Sequence, residues 1–422
     1  MWESVKKILN NFFKKNFIVG LDIGSSSIKM AQFVKSDRNL RIVRGAIKEI
    51  LGDPVSALKE VLKEVNVHQS QFHVSVNCPL TMVRAEVFPI MPRSELRDAI
   101  RFESKNYFPF ALEDAFWDFE IVGDVLEQGL EKTKVIIAAS PKKTVENSLS
   151  LLAGFGIQPS ILLPAPLALQ KIVKTSRPRE NQVQAVLDIG VRFTELALFS
   201  GVELIFQRKL PVAGADFTKS MTAALASSAG RVELSMSEAE RIKKDVGFPA
   251  ISQAIEGGIS SSQLLSMLRQ PFEQLTGEIT RCFDYIRETQ KGSKVESLVL
   301  FGGGALLKGL PALLSSELGL PVSLDEQSEE MGISHRFGLA IGVAFCDAGG
   351  INLLPVEMKE RHRRTFKRAA IQSAAVGIPL ILFLIYTGMG IQLSNYEKKV
   401  AVARAELNDL KLEAESLRTE RL

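Results

Sequence analysis

Two stretches of the sequence place an aspartate and small residues directly after an apolar strand pattern, which suits the binding of an anion. The first runs from Phe17 to Val34 and reads FIVGLDIGSSSIKMAQFV, with Asp22 at the end of the strand pattern and Lys29 beyond the turn. Small residues let backbone N–H groups and hydroxyls approach an anion, Lys29 adds a cation, and Asp22 suits a hydrated metal ion. Taken alone, this motif is equally typical of an ordinary β-hairpin turn.

The same theme recurs in the second half of the chain and is followed by a glycine-rich loop. Residues 184–198 again combine an apolar strand pattern, Asp188 and Gly190, and a second strand, with Thr194 six positions after Asp188. Farther on, a buried strand pattern runs into Gly302-Gly303-Gly304 and then a helix, an arrangement in which a backbone comes close to a nucleotide. Such a duplication is not expected of an arbitrary α/β chain.

A third stretch, Ile351-Asn352-Leu353-Leu354-Pro355, stands where the chain changes character. It follows Gly349-Gly350 and ends in proline, so it cannot lie inside a helix. The pattern predicts either a linker or a peptide ligand. In the second case Asn352 would supply directional hydrogen bonds and the three apolar side chains the buried area.

Composition disfavours several other kinds of chemistry. The three cysteines and four histidines have neither disulfide-framework nor metal-site spacing, so no metal site made of side chains is expected among them. A net charge of +4 over 422 residues says little by itself, and no nucleic-acid partner is expected. Six basic residues are nevertheless concentrated in one short run at residues 359–368.

The elements that position these motifs form a soluble α/β body over residues 17–346. Strand and helix patterns alternate from residue 41 to residue 90. A unit with its own α+β pattern is then inserted at roughly residues 90–158, opening with a helix near Ser94. The first sixteen residues predict a basic amphipathic helix, which would lie either on an anionic membrane surface or on the body.

The C-terminal part predicts a membrane anchor and a coiled coil. No charged residue occurs between Arg368 and Glu397, so residues 369–393 are long enough to span a bilayer. The basic run on one flank, within the linker of residues 347–368, places the body in the cytoplasm. Residues 394–422 continue a heptad pattern that predicts a parallel dimer or a heterodimer with a similar helix and a periplasmic C-terminus. Apolar residues follow it at Leu393, Tyr396, Val400, Ala403, Leu407, Leu410, Ala414 and Leu417.

Together, the two hairpins and the glycine loop resemble the actin-like ATPase fold, and the inserted unit resembles that of FtsA and of the pilus protein PilM. Two further stretches favour PilM, namely Glu238-Ala239-Glu240 with Lys243-Lys244, and residues 212–216 after the second hairpin. The stretch at residues 351–355 and the tail after it resemble the start of PilN, the membrane partner of PilM. The chain therefore looks like a PilM-like protein fused to the N-terminal part of a PilN-like one. The usual periplasmic domain of PilN is not in the sequence, either because this version never has it or because the sequence is truncated.

The resemblance implies a site for ATP or ADP with Mg²⁺, the ion being held through water by Asp22. The residues expected to bind the cofactor are Asp22, Gly24, Ser25, Ser26, Lys29, Asp188, Gly190, Thr194, Glu240, Lys243, Gly302, Gly303 and Gly304. No catalytic residue is assigned, because Leu163 and Ala165 stand where PilM-like proteins carry acidic residues. Nucleotide turnover is therefore expected to be slow or absent. Arg192 is a further candidate cation for the phosphate.

The resemblance also implies a bacterial inner-membrane scaffold that supports type IV pilus assembly and twitching motility. Its expected partners are PilO-like and PilN-like membrane proteins, cytoplasmic pilus ATPases and the platform protein, within an oligomer. The alternatives are a GspL-like type II secretion component, or an actin-like ATPase or kinase. The peptide at 351–355 would dock in its own groove only if the roughly 20 Å reach of residues 345–351 suffices. Otherwise it would fill the groove of a neighbouring chain.

Overall fold

The structure is a computed structural model. It describes residues 17–36, 39–65, 67, 70–127, 129–175, 182–222, 225–227, 230–249, 255, 259–289, 294–347 and 349–419. The predicted N-terminal amphipathic helix, residues 1–16, lies outside the described residues. The chain divides into two compact units, residues 1–355 and 356–422.

The first part of the larger unit is built on a five-stranded sheet that begins with the first predicted hairpin. Its strands lie in the order β3-β2-β1-β4-β8, and β1 pairs antiparallel with β2 and parallel with β4. The pairing brings Asp22 opposite Lys29 across the hairpin. The elements up to the insertion are β1 (Phe17–Ile23), β2 (Ser27–Ser36), β3 (Asn39–Glu49), α1 (Pro54–Leu62) and β4 (Ser70–Val76).

The inserted unit is a three-stranded antiparallel sheet with its own core. Its strand order is β5-β7-β6. Its elements are β5 (Met82–Pro89), α2 (Arg93–Glu103), β6 (Ala115–Glu127), β7 (Leu130–Pro141) and α3 (Lys142–Ala153). The sequence places the start of this unit near residue 90, but Met82–Pro89 pairs with β7 and so belongs to it. The pairing is non-local, and the strand pattern alone does not reveal it.

A second five-stranded sheet carries the second hairpin and the glycine loop. The chain returns through β8 (Ile161–Pro164) and α4 (Ala165–Thr175) and then forms a sheet of order β11-β10-β9-β14-β15. Its elements are β9 (Val183–Ile189), β10 (Thr194–Ser200), β11 (Glu203–Leu210), α5 (Gly214–Ser220), β12 (Leu225–Ser227), β13 (Gly230–Val232), α6 (Met236–Asp245), α7 (Ser261–Thr289), β14 (Val295–Phe301), α8 (Leu310–Leu318) and β15 (Val322–Leu324). An apolar core fills this half.

The chain then crosses back to the first sheet and ends the larger unit there. After α9 (Glu326–Glu330), the buried helix α10 (Gly338–Ala344) packs on β1, β4 and α4. A Cβ added at Gly20 would lie 1.8 Å from the Ala340 carbonyl oxygen, and one at Gly342 would lie 2.2 Å from that of Ala168. Only glycine permits these backbones to approach so closely.

The smaller unit is one helix, α11 (Val356–Thr419). Apolar side chains of the predicted heptad seam are exposed along it, among them Tyr396, Val400 and Leu410. The side chains of residues 369–378, in the predicted membrane segment, lie outside the described residues. Within the described residues, no helix is both long enough and apolar enough to cross a bilayer.

Candidate functional site

A cavity of about 770 Å³ lies where the two hairpins and the glycine loop face one another. All but one of the predicted cofactor residues line it, namely Asp22, Gly24, Ser25, Ser26, Lys29, Asp188, Gly190, Glu240, Lys243, Gly302, Gly303 and Gly304. Thr194 is the exception, because it is fully buried and its hydroxyl donates to the Val212 carbonyl at 2.6 Å. Thr194 begins β10, and its side chain stabilises the second hairpin instead of facing the cavity. The prediction that Thr194 binds the cofactor is therefore not supported by its position.

On the first hairpin, the carboxylate of Asp22 is already engaged by two donors. Lys29 Nζ donates to Asp22 Oδ2 at 2.9 Å, and Ser75 Oγ, from the neighbouring strand β4, donates to Oδ1 at 2.7 Å. Burial disfavours the charged ammonium, but the charge and hydrogen bond of Asp22 outweigh this effect and raise the pKa of Lys29. Lys29 therefore stays a cation at the cavity wall.

The second hairpin brings a buried carboxyl to the same cavity. Burial raises the pKa of Asp188 to about 7; Lys29 opposes this shift, whereas the negative charge of Asp22 adds to it. Gly302, at φ +85°, lies directly against it, since a Cβ there would lie 2.4 Å from Asp188 Oδ1. The glycine loop thus approaches the second hairpin closely because residue 302 has no side chain.

The predicted pair of Glu240 and Lys243 forms a closed hydrogen-bond network on α6. Lys243 Nζ donates to the Gly214 carbonyl at 2.9 Å and to Thr218 Oγ1 at 2.7 Å, and it pairs with Glu240. Thr218 Oγ1 in turn donates to Glu240. With these three partners the ammonium has used its three donors. Lys243 therefore ties α6 to α5 at the cavity wall.

Three residues that the sequence motifs do not predict link the segment before α10 to the first sheet at the cavity. Arg336 Nη2 donates to Glu49 Oε1 at 2.6 Å and to Ser27 Oγ at 3.3 Å, and all three residues line the cavity. Arg336 lies 287 positions from Glu49 in the sequence, so no local pattern connects them. Its guanidinium adds a second cation beside Lys29.

Neither Leu163 nor Ala165 lines the large cavity. Both are buried, and Leu163 lines a smaller cavity beside the peptide at residues 351–355. The structure therefore does not place these two residues where they would contact a ligand in the large cavity. Slow turnover stays a prediction. Arg192, the further candidate cation for the phosphate, lines the large cavity.

The residues present fit an anionic ligand better than a directly bound metal ion. Asp22 already accepts hydrogen bonds at both oxygens, so an ion there would share it with Lys29 and Ser75. Across the described part of the chain, no three histidine, cysteine or acidic side chains are grouped as metal ligands. The water-mediated Mg²⁺ at Asp22 therefore stays a prediction.

A second site is formed by the peptide at residues 351–355, which occupies a groove of the same unit. The side chain of Asn352 accepts from the Leu162 amide and donates to the Ser160 carbonyl, both at 3.0 Å. These contacts attach the peptide to β8, the edge strand of the first sheet. The backbone N–H of Asn352 donates to Asp118 Oδ2 of the inserted unit at 3.1 Å. The groove therefore lies between β6 and β8.

The peptide backbone and its apolar side chains complete this docking. The Leu353 amide donates to the Leu162 carbonyl at 2.8 Å, and the Leu354 amide donates to Asn352 Oδ1 at 3.1 Å. Ile351, Leu353 and Leu354 are buried, with Leu353 fully inaccessible. Only six residues separate Ala344, the last residue of α10, from the docked Ile351, so the groove lies within reach of the chain's own peptide. The geometry satisfies the condition for docking in the chain's own groove.

Most of the larger unit has recognisable relatives. A family model described as type IV pilus assembly protein PilM matches residues 20–338. The chain is similar to a solved PilM–PilN type IV pilus biogenesis complex at 25% sequence identity and a TM-score of 0.64, over 78% of this chain and 97% of that one. The predicted actin-like α/β fold is confirmed.

Curated relatives match a smaller part. The cell shape-determining protein MreB of Haemophilus influenzae is 25% identical over 193 residues, which cover 41% of this chain and 54% of that protein. The cell division protein FtsA of Bacillus subtilis is 26% identical over 200 residues, covering 45% and 43% respectively. The chain spans about half the length of the curated relatives it matches.

Proposed function

Because the chain belongs to the family of the type IV pilus assembly protein PilM, we propose that it is an inner-membrane scaffold of pilus assembly. Its body holds a PilN-type peptide in its own groove, so that receptor and ligand are parts of one polypeptide. The single observation that supports this proposal best is the docking of Asn352, whose side chain and amide contact both β8 and the inserted unit. The solved relative is itself a complex of PilM with PilN.

The proposal assigns the tail to the membrane and the periplasm. Residues 369–393 contain no charged residue, and the basic run before them favours a cytoplasmic body. The heptad seam after them would pair with a similar helix, either of a second copy or of a PilO-like or PilN-like protein. On the cytoplasmic side, the body would contact the pilus ATPases and the platform protein.

The large cavity supports a nucleotide-binding role within the scaffold. It combines the cations Lys29 and Arg336 with a glycine loop whose backbone comes close to the second hairpin. Phosphate groups are bound by such cations and by closely approaching backbone amides. We therefore assign ATP or ADP to this cavity, with slow turnover at most.

A cell-based experiment tests the scaffold proposal. Asn352→Ala with Leu353→Ala removes the peptide contacts but leaves the tail intact. We expect the variant to stay in the inner-membrane fraction while surface pili and twitching motility are lost. The matched control is Gly349→Ala, whose added Cβ meets no atom within 4 Å.

Two outcomes would contradict the proposal. Normal piliation by the double variant would remove the role of the docked peptide. Loss of type II secretion with piliation intact would favour the GspL-like alternative.

A further inference from the structure

The inserted unit contacts the second half of the larger unit, the half built on β9, β10, β11, β14 and β15, through polar groups of β11. Lys209 Nζ donates to the Thr81 carbonyl at 2.7 Å, just before β5, and Gln207 Oε1 accepts from the Val83 backbone N–H at 3.3 Å. Among the described residues, the core of the inserted unit and the core of the second half form separate apolar clusters. Polar contacts between separate cores permit a relative movement that a shared apolar core would resist.

Lys209 connects this contact to the wall of the large cavity. Its ammonium pairs with Glu195 of β10 at 2.9 Å, and both side chains are almost inaccessible to solvent. The ammonium also lies 5.3 Å from the centroid of the Phe193 ring, within the range of a cation–π contact. Phe193 belongs to the turn of the second hairpin and lines the large cavity. One buried cation therefore links the cavity wall to the strand that begins the inserted unit.

The charges of this link also act on the buried carboxyl of the cavity. Glu195 lies opposite Asp188 in the pairing of β9 with β10. Burial is the main cause of the raised pKa of Asp188, and the negative charge of Glu195 adds to it while the positive charge of Lys209 opposes it. The cavity and the link therefore interact through charge as well as through the Phe193 ring.

The inserted unit carries one wall of the peptide groove, and the first sheet carries the other. The backbone N–H of Asn352 donates to Asp118 of β6, whereas that of Leu353 donates to the Leu162 carbonyl of β8. β6 pairs with β7 along its length, and β7 pairs with β5. A displacement of β5 at Lys209 would therefore be transmitted through the inserted sheet to Asp118.

We propose that Lys209 couples the large cavity to the inserted unit, so that a nucleotide bound against residues 191–193 strengthens docking of the peptide at Asp118. A ligand that fixes this turn holds Phe193 against Lys209, and Lys209 in turn holds the start of β5. By linkage, the docked peptide strengthens nucleotide binding by the same factor. The inference rests on the proposed nucleotide-binding role of the cavity and adds its regulation of a distant contact.

Hydrogen exchange in the full-length chain tests the link. A saturating non-hydrolysable ATP analogue should slow exchange of the Asn352, Leu353 and Leu354 amides on the order of ten-fold. In the double variant Glu195→Gln with Lys209→Met, this slowing should fall below about two-fold. The two substitutions keep similar side-chain sizes and leave neither buried charge without its partner.

Arg208→Met is the matched control. Arg208 stands next to Lys209 on β11, but its ion pair with Glu278, at 3.2 Å, joins β11 to α7 within the second half. This variant should keep the full slowing by the analogue. Equal slowing in the double variant and in the control would overturn the role of Lys209.

A second measurement leaves Lys209 unchanged and does not depend on the folding of the double variant. Calorimetric titration compares the analogue's affinity for the unsubstituted chain with that for the Asn352→Ala, Leu353→Ala chain. Loss of the docked peptide should weaken binding on the order of ten-fold. Binding that is equally tight in both chains would overturn the coupling alone. Failure of the analogue to bind either chain would overturn the nucleotide-binding role as well.

Discussion

At the residue scale, the two aspartates that line the large cavity have different surroundings although their sequence motifs are alike. Asp22 shares its carboxylate with Lys29 and Ser75, whereas burial raises the pKa of Asp188 to about 7. The motif D-x-G predicts both positions, but it does not predict this difference. The difference lies in Ser75, which donates to Asp22 from a neighbouring strand, and in the burial of Asp188.

The raised pKa of Asp188 predicts a pH-dependent stability. A carboxyl whose pKa is higher in the folded than in the unfolded chain stabilises the fold below its unfolded pKa, and this contribution is lost as the pH rises through about 7. Asp188→Asn should therefore increase the free energy of unfolding more at pH 8 than at pH 5, by about 2 kcal/mol. Denaturant titrations of the full-length chain in detergent at both pH values measure this difference. An increase that is the same at both pH values would contradict the assignment.

Gly303 tests nucleotide binding without disturbing the fold. Its φ is −68°, and a Cβ there would meet only Arg336 Nε, at 3.9 Å. Gly303→Val should therefore leave the thermal unfolding temperature almost unchanged. It should nevertheless weaken binding of a non-hydrolysable ATP analogue at least ten-fold, because the added side chain occupies the space of the ligand.

Calorimetric titration of the analogue compares Gly303→Val with the unsubstituted chain. Undiminished affinity in the variant would place the nucleotide away from the glycine loop. A large fall in the unfolding temperature would instead show that Gly303 has a structural role.

At the element scale, the strand–turn–strand motifs were predictable because alternating apolar residues and small turn residues act locally. The membership of Met82–Pro89 in the inserted sheet was not predictable, because it depends on pairing with β7 many residues away. The packing partners of α10 were not predictable either. Its sequence, GLAIGVA, indicates a buried helix but does not indicate which backbones it touches.

The close packing of α10 makes its glycines structural. Gly342→Ala would place a Cβ 2.2 Å from the Ala168 carbonyl oxygen, and neither backbone can yield without moving α10 against α4. The substitution should lower the free energy of unfolding by about 1–3 kcal/mol. Gly123→Ala, whose Cβ meets no atom within 4 Å, is the control and should change it by less than about 0.5 kcal/mol. Chemical denaturation checks both, and equal effects would contradict the packing account.

At the scale of the whole molecule, the heptad pattern predicts self-association through α11. Val400 is 48% exposed on the predicted seam, while Val402 is 59% exposed and lies off it. Val400→Asp should therefore convert the predicted dimer to a monomer in detergent, because it places two like charges at the seam. Val402→Asp should leave the dimer intact. Analytical ultracentrifugation distinguishes the two, and identical behaviour of both variants would contradict the seam.

Also at this scale, the sequence alone left open whether the peptide fills its own groove. The motif predicts a ligand, and the chain length between α10 and Ile351 bounds its reach, but neither locates the groove. Only the folded arrangement brings Asp118 and Ser160 to the same peptide. The residue types thus predicted which side chains of the peptide make hydrogen bonds and which are buried. The tertiary fold determines where the peptide binds.

Residues 351–355 are docked in the groove of their own chain, and hydrogen exchange of this segment tests this docking most directly. The amides of Asn352, Leu353 and Leu354 each donate a hydrogen bond. We predict that all three exchange at least a hundred-fold more slowly than in an unfolded peptide, independently of protein concentration, and that Asn352→Ala abolishes this protection. Unprotected exchange in the unsubstituted chain, or protection that grows with protein concentration, would contradict docking within one chain.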